Sequence, residues 1–133
     1  MEIIVGTRFR QEWVVTEEML AKNVKSGAVE VFATPMMVAL IESTASDCLQ
    51  QFLEPGTVSV GLAISVTHIA ATPLGMKVYA EAEITAVEGR RVDFKVTAFD
   101  ETEKIGEGTH SRVYLNQQKF EQKAQGKLAK DNA

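Results

Sequence analysis

Residues 34–56 decide the fold of this chain, and they read TPMMVALIESTASDCLQQFLEPG. Thr34 before Pro35 is a favourable helix start, because threonine can bond the first free amides and proline at the first helical position loses no hydrogen bond. The residues EPG at 54–56 should end the helix. The sequence therefore predicts one long helix over residues 35–53.

The two halves of this helix differ in how they distribute apolar side chains. In the second half Ala45, Leu49 and Phe52 form one apolar face, as in a helix lying on a sheet. Residues 36–41 are instead six apolar residues in a row, which cover every side of the helix. One sheet can cover only one flank, so we expect a second surface here, most simply a partner subunit.

A strand with strict alternation follows the helix. Since successive side chains of a strand point to opposite faces, His68 should share a buried face with a set of apolar residues. The members of that face are Val58, Val60, Leu62, Ile64, Val66, His68 and Ala70. The helix is the natural cover for this face, and it carries Glu42. The pattern predicts an imidazole and a carboxylate beside one apolar interior, an arrangement used in acid–base chemistry.

The rest of the chain reads as antiparallel strands joined by short turns. One strand, residues 8–15, precedes the helix, and alternation predicts three more strands after residue 70, at 78–86, 92–98 and 105–115. The fold class is therefore α+β, with a long central helix wrapped by a curved antiparallel sheet. We expect a single domain over residues 1–118 and a polar, aperiodic, frayed tail over residues 119–133.

Composition limits the class of protein. The 133 residues carry a net charge of −4 with 45% hydrophobic content, as in one soluble globular domain. The absence of a basic face argues against nucleic acid as a partner. The chain has a single cysteine, Cys48, and lacks the apolar stretches of a signal peptide or a membrane span. We therefore expect a cytoplasmic protein with no membrane partner.

Three residues are candidates for chemistry: Thr34, Glu42 and His68. Each has an alternative interpretation. Thr34 can be only an N-cap, Glu42 only a solvated carboxylate, and His68 only a core histidine bonded to a backbone carbonyl. Thr34 and Glu42 lie eight residues apart, about 12 Å along a helix, which is long for direct contact. Either a substrate spans this gap, or a two-fold axis brings Thr34 of one subunit near Glu42 of the other.

Other motifs in the sequence are weaker indications of a functional site. His110 is expected to be a surface residue of the last strand. Two distant histidines without a cysteine or carboxylate cluster predict no metal site. The glycine patterns of phosphate-binding loops and dinucleotide folds are absent.

Four segments stand out when they are taken together and in order: VFATPMMVALIE at 31–42, VTHIAATPLG at 66–75, VEGRR at 87–91 and IGEGTHSR at 105–112. In these segments the chain resembles hotdog-fold thioesterases related to fluoroacetyl-CoA thioesterase. The resemblance extends over nearly the whole chain from Gly6 to Phe120.

This resemblance implies a hotdog fold, a homodimer, and hydrolysis of acyl-CoA thioesters. Whether two dimers pair further into a tetramer stays open. It implies that Thr34, Glu42 and His68 are catalytic. It also implies that Gly61 lies close to the acyl carbonyl and that Arg112 lies near the site. CoA enters as part of the substrate, and neither a metal nor another cofactor is implied.

The resemblance is incomplete at one segment. The fluoroacetyl-CoA enzyme has phenylalanines in a lid over the acyl group, whereas residues 24–30 here contain no aromatic residue, and Pro35 stands where that enzyme has glycine. We therefore expect a general short-acyl thioesterase. Two rival functions remain open: an acyl-CoA-binding module without catalysis, and a hotdog dehydratase acting on hydroxyacyl thioesters.

Overall fold

A long helix lies across one face of a five-stranded antiparallel sheet in the computed structural model, which describes residues 2–130. The predicted α+β layout, one strand, then the helix, then four strands, is confirmed. The elements are β1 (Arg8–Val14), a 3₁₀ turn (Glu17–Met19), α1 (Ala21–Val24), α2 (Thr34–Gln50), β2 (Thr57–His68), β3 (Lys77–Glu88), β4 (Arg91–Asp100), β5 (Lys104–Asn116) and α3 (Gln117–Lys130).

The core lies between α2 and the sheet. Small residues on the sheet, Ala80, Ala82 and Ala98, are fully buried and let the helix come close. Each large apolar side chain buried there contributes about 1.5–3 kcal/mol. The largest members of the core are Val15, Leu20 and Phe32 from the segments before α2, Met37, Leu40, Ile41 and Leu49 from α2, and Val78, Ile84, Val92, Phe94 and Ile105 from the sheet.

The strand order is β1-β3-β4-β5-β2, so within residues 2–130 β2 is an edge strand that pairs with β5 alone. A β-bulge interrupts that pairing, because Gly61 lies opposite Arg112 and Ala63 opposite Ser111, with Leu62 as the additional residue. The bulge reverses the alternation: Ser59 and Gly61 lie on the helix-facing side before it, and Ile64, Val66 and His68 after it.

The prediction that Val58, Val60 and Leu62 share one buried face with His68 is therefore wrong. An alternating sequence cannot reveal one additional residue in a strand. Two residues of the predicted face are also more exposed than expected. At the free edge, Leu62 is 55% exposed and Ile64 is 37% exposed.

Half of the apolar start of α2 remains partly uncovered. Met37, Leu40 and Ile41 are fully buried, whereas Met36, Val38 and Ala39 are only partly buried. The chain itself thus covers one flank of this segment, as expected, and leaves the other accessible.

The prediction of a frayed tail is wrong for residues 119–130, which belong to α3, and residues 131–133 lie outside the described part of the chain. Asn116 accepts a hydrogen bond from the Lys119 amide, as an N-cap does, and Gln117 donates to Glu121 one turn later. The prediction that this segment is aperiodic is also wrong, because Phe120, Ala124 and Leu128 recur every four residues along α3. Within residues 2–130, no helix combines the length and hydropathy needed to cross a bilayer.

Candidate active site

Thr34 and His68 form a hydrogen-bonded pair where α2 begins and β2 ends. Oγ1 of Thr34 lies 2.7 Å from Nδ1 of His68. The N-cap of α2 is Ala33, and no side chain caps the helix. The interpretation of Thr34 as an N-cap is therefore wrong, because its hydroxyl is directed to the imidazole and not to the first backbone amides.

The hydroxyl of Thr34 limits how His68 can carry its proton. When the hydroxyl donates to Nδ1, a neutral ring carries its proton on Nε2. Nε2 is buried and has no hydrogen-bond partner among residues 2–130. Burial lowers the pKa of His68, and the backbone of Ala70 partly offsets this shift. The ring is neutral near pH 7, and a neutral imidazole with a buried free nitrogen is suited to exchange a proton with a bound molecule.

A cavity of about 320 Å³ lies beside this pair. Its walls come mainly from residues 26–33 and 69–71, and include the apolar side chains of Val29, Val31 and Ala70. Such a cavity can hold a small apolar group next to the hydroxyl and the imidazole.

Glu42 lies two turns further along α2, in different surroundings. Its Oε2 atom is 3.8 Å from Nη1 of Arg112, whose side chain is 7% exposed, while the side chain of Glu42 is 42% exposed. Gly61 faces the same carboxylate, since a Cβ atom at this position would lie 2.8 Å from Oε2. Glu42 is therefore a partly shielded carboxylate beside a buried cation, and it can lie this close to β2 because Gly61 has no side chain.

Two contacts with β2 fix the guanidinium of Arg112. Nε donates to Oγ of Ser59 at 2.8 Å, and Nη2 donates to the Ser59 carbonyl at 3.0 Å. Burial lowers the pKa of Arg112, and the charge of Glu42 opposes this shift. The result is an immobilised positive charge beside the carboxylate of the helix.

His110 is a buried residue and not the surface residue that the sequence predicted. It is 2% exposed, and with Glu42 and Gly61 it lines a second cavity of about 230 Å³. The prediction of a surface strand residue is wrong, because β5 turns this side chain under α2. One signal was available in the sequence: His110 is two residues from Arg112 on the same strand, so the two side chains share a face.

Within one chain the predicted residues form two separate groups. Thr34 and His68 line the first cavity, whereas Glu42 and Gly61 line the second, and the two cavities share no lining residue. The expectation that Glu42 and His68 meet beside one interior therefore does not hold inside a single chain. The alternative in which a second subunit brings the groups together remains.

The two groups contain a hydroxyl, an imidazole, a carboxylate and a fixed cation. This set can activate water or a nucleophile, transfer a proton and stabilise negative charge, which are the steps of acyl transfer. Among residues 2–130, no group of three or more histidine, cysteine or acidic side chains is arranged to hold a metal ion.

Comparison with protein families relates this chain to known thioesterases. The profile of the family described as fluoroacetyl-CoA-specific thioesterase matches residues 15–118. The fluoroacetyl-CoA thioesterase of Streptantibioticus cattleyicolor is 40% identical over 129 residues, which covers 92% of this chain and 93% of the relative.

Solved structures show the same relationship. The structure of the fluoroacetyl-CoA thioesterase FlK superposes with a TM-score of 0.91 at 39% identity, covering 96% of this chain and 98% of the other. A point mutant of FlK, in complex with fluoroacetate and CoA, superposes with a TM-score of 0.84 at 41% identity, covering 88% and 98%. A thioesterase superfamily member from Thermus thermophilus gives 0.85 at 32% identity, covering 98% and 96%.

Proposed function

The chain belongs to the fluoroacetyl-CoA-specific thioesterase family, and from this premise we propose that it hydrolyses short acyl-CoA thioesters in a site completed by two subunits. It is a hotdog-fold thioester hydrolase. The observation that carries the proposal is the 2.7 Å contact between Thr34 and His68, a reactive pair beside a cavity of acyl size, with Glu42 held in a second cavity.

Two exposed surfaces support a homodimer. The edge strand β2 leaves Leu62 and Ile64 exposed, and such an edge is commonly covered by a second chain. The adjoining start of α2 leaves Met36, Val38 and Ala39 partly uncovered. A two-fold axis beside β2 would cover both surfaces with one isologous interface.

The same axis would join the two halves of the site. Glu42 lies about 12 Å along α2 from Thr34, too far for direct contact in one helix. In a dimer, the Thr34–His68 pair of one subunit can face Glu42 and Arg112 of the other. Each dimer would then contain two equivalent sites, each built from both chains.

In the proposed reaction Glu42 either takes a proton from the water that attacks the thioester carbonyl, or itself attacks and forms an anhydride that water then hydrolyses. As the C–S bond breaks, Nε2–H of His68 gives its proton to the departing CoA thiolate, and the ring regains a proton from the water that is consumed. Thr34 orients the imidazole. A backbone amide near Gly61 stabilises the oxyanion, a contribution that can reach about 3–4 kcal/mol. The products are the carboxylic acid and free CoA, and the CoA moiety of the substrate is the only cofactor-like group required.

We propose a broad preference for short acyl groups and no selectivity for fluoroacetyl. The segment over the first cavity contributes Ser26, Gly27 and Val29, and no aromatic residue occurs in residues 24–30. A cytoplasmic location also remains a proposal. It is supported by Cys48, which is buried and unpaired, as is usual for thiols in a reducing compartment.

The decisive experiment is release of free thiol from a panel of acyl-CoAs, from acetyl to medium chain, by the purified full chain. We expect turnover that is highest for short chains and that falls by orders of magnitude in Glu42→Gln and His68→Ala. Binding without thiol release would indicate the acyl-CoA-binding alternative. A 3-hydroxyacyl-CoA is added to the panel, and double-bond absorbance from it without thiol release would indicate a dehydratase.

A further inference from the structure

His110 is a buried histidine with both ring nitrogens engaged. Nδ1 lies 2.8 Å from the carbonyl oxygen of Ala63, and Nε2 lies 3.2 Å from Nη1 of Arg112. The ring of Phe94 stacks beside it, with centroids 6.1 Å apart. The imidazole is thus fixed in position and in rotation about its own axis.

These partners allow only one protonation state of the ring. A carbonyl oxygen can only accept, so Nδ1 of His110 carries a proton. A guanidinium nitrogen can only donate, so Nε2 must present its lone pair. His110 is therefore a neutral imidazole in the Nδ1–H tautomer, donating to Ala63 and accepting from Arg112.

The bond from Arg112 to His110 uses the same nitrogen that faces Glu42. Ser59 accepts from Nε and Nη2 of Arg112 and so holds the plane of the guanidinium. The remaining nitrogen, Nη1, lies 3.2 Å from Nε2 of His110 and 3.8 Å from Oε2 of Glu42. His110 therefore accepts from the nitrogen that faces Glu42 and completes the support of the cation on that side.

The bond from His110 to Ala63 acts on the other side of Glu42. Ala63 directly follows the bulged Leu62, and the bulge places Gly61 under the carboxylate. A carbonyl bonded to a buried ring restrains this irregular part of β2, whose other edge meets no strand in the described part of the chain. His110 therefore connects the two elements that surround Glu42.

We propose that His110 is a positioning residue, which fixes Arg112 and the β2 bulge together and thereby sets the geometry of Glu42. This proposal rests on the proposed function in one respect, since thioester hydrolysis is the measurement that reports the geometry of Glu42. His110 needs no contact with substrate and no proton exchange for this role.

The test compares two substitutions in the full-length protein. The side chain introduced by His110→Gln retains one donor and one acceptor, whereas His110→Leu retains the approximate volume without either. We expect His110→Leu to lower kcat by about 10- to 100-fold, the effect of misplacing a reacting group, with KM changed less than about threefold. His110→Gln should restore most of kcat. A folded His110→Leu protein with kcat within about twofold of the parent would overturn the proposal.

A double-mutant comparison identifies the route of the effect. If His110 acts through Arg112, His110→Leu should cost little further activity once Arg112→Gln is present. Full multiplication of the two single effects would contradict the proposal.

Nitrogen NMR of the unmodified protein tests the same inference without a substitution or a turnover measurement. We expect His110 to be neutral and protonated at Nδ1 at pH 7. A ring protonated at Nε2, or a charged ring, would overturn the proposal even if His110→Leu fails to fold. The NMR result is independent of the proposed function. If acyl-CoAs released no thiol, that function would be refuted, and the NMR result would still test the role of His110.

Discussion

The hydroxyl of Thr34 lies 2.7 Å from Nδ1 of His68, so the first residue of the long helix is bonded to the last residue of the edge strand. The local sequence predicts that Thr34 is a helix cap. The contact shows that its hydroxyl bonds the imidazole of His68 instead. Its consequence can be separated from helix stability by experiment.

Thr34→Val should lower kcat for thioester hydrolysis by about 10- to 100-fold, because the valine cannot orient the imidazole. Thr34→Ser should retain most of the activity. Thr34→Val should lower the free energy of unfolding by about 0.5–1.5 kcal/mol, the value of the lost bond to His68, since no N-cap bond is lost. In a His68→Ala background the same substitution should cost less than about 0.5 kcal/mol, and urea denaturation that showed the full loss there would contradict this assignment.

Gly61→Ala should reduce turnover sharply, because the added Cβ atom would lie 2.8 Å from Oε2 of Glu42. The carboxylate would have to move away from its present position beside Arg112. Gly126→Ala is the matched control, since a Cβ atom there meets nothing within 4 Å. Thiol-release kinetics on both variants check the prediction, and equal activities would show that the closeness of Gly61 to Glu42 has no catalytic importance.

The sequence was sufficient for those features that repeat along the chain. The period of two in residues 78–98 and the apolar faces of residues 34–53 predicted the strands, the helix and their order. Those patterns arise from burial on one face, which every residue of an element experiences in turn. The resemblance to known thioesterases supplied Gly61 and Arg112, which the structure places beside Glu42.

Features that depend on one residue or on distant contacts were not predictable from the pattern. The bulge at Leu62 leaves the alternation of the sequence intact while reversing the faces of β2. Burial of His110 depends on Ala63 and Arg112, 47 and two positions away in the chain. The separation of Glu42 and His68 into two cavities likewise depends on how α2 and β2 pack in three dimensions.

Asp100 should be an important stabilising residue outside the site. Its buried carboxylate accepts hydrogen bonds from the Thr72 hydroxyl at 2.8 Å and from the Thr102 and Glu103 amides at 2.8 and 3.0 Å. Thr72 lies beside the segment that walls the first cavity. Asp100→Ala should lower the free energy of unfolding by about 2–4 kcal/mol, because it leaves several donors without a partner.

Thr72→Val, which removes one of these bonds, should cost about 1 kcal/mol. Denaturant titrations measure both variants, and a loss below about 1 kcal/mol in Asp100→Ala would contradict the role of this turn. Burial opposes ionisation of Asp100, but hydrogen bonds from Thr102, Thr72 and Glu103 outweigh it and lower the pKa of this carboxyl. The stabilisation is therefore complete above pH 3.8, the ordinary value, and is lost as pH falls through the lower folded pKa.

The two histidines should make the protein less stable in mild acid. Burial lowers the pKa of His68 and, together with the charge of Arg112, that of His110 below the ordinary value of 6.5. The unfolded chain then binds protons that the folded chain does not bind, so the free energy of unfolding falls as pH drops below 6.5 towards the folded pKa values. Each histidine can contribute at most about 1.4 kcal/mol per pH unit.

Urea midpoints measured between about pH 7.5 and 5, the range in which histidine ordinarily titrates, check this prediction of acid sensitivity. Replacing His68 or His110 by glutamine should flatten the pH dependence, and the two replacements together should nearly remove it over this range. A pH dependence that is unchanged in the double variant would assign the effect to other groups.

The proposed site built from two subunits leads to a quantitative prediction for mixed dimers. In a site that uses His68 of one chain and Glu42 of the other, His68→Ala and Glu42→Gln homodimers are both inactive. A mixed dimer contains one site with both residues intact and one site with neither. After unfolding and refolding of an equal mixture, half of the dimers should be mixed, and activity should return to about one quarter of the parent value.

The control for this mixing experiment combines two variants on the same half of the site, His68→Ala and Thr34→Val. This mixture should recover no activity beyond that of Thr34→Val dimers. Tagging the two chains differently and purifying the mixed dimer should raise the recovery to about one half. A mixture of His68→Ala and Glu42→Gln that stays inactive, although mixed dimers are isolated, would show that each chain uses its own Glu42 with its own His68. A substrate would then have to connect the two cavities of a single chain.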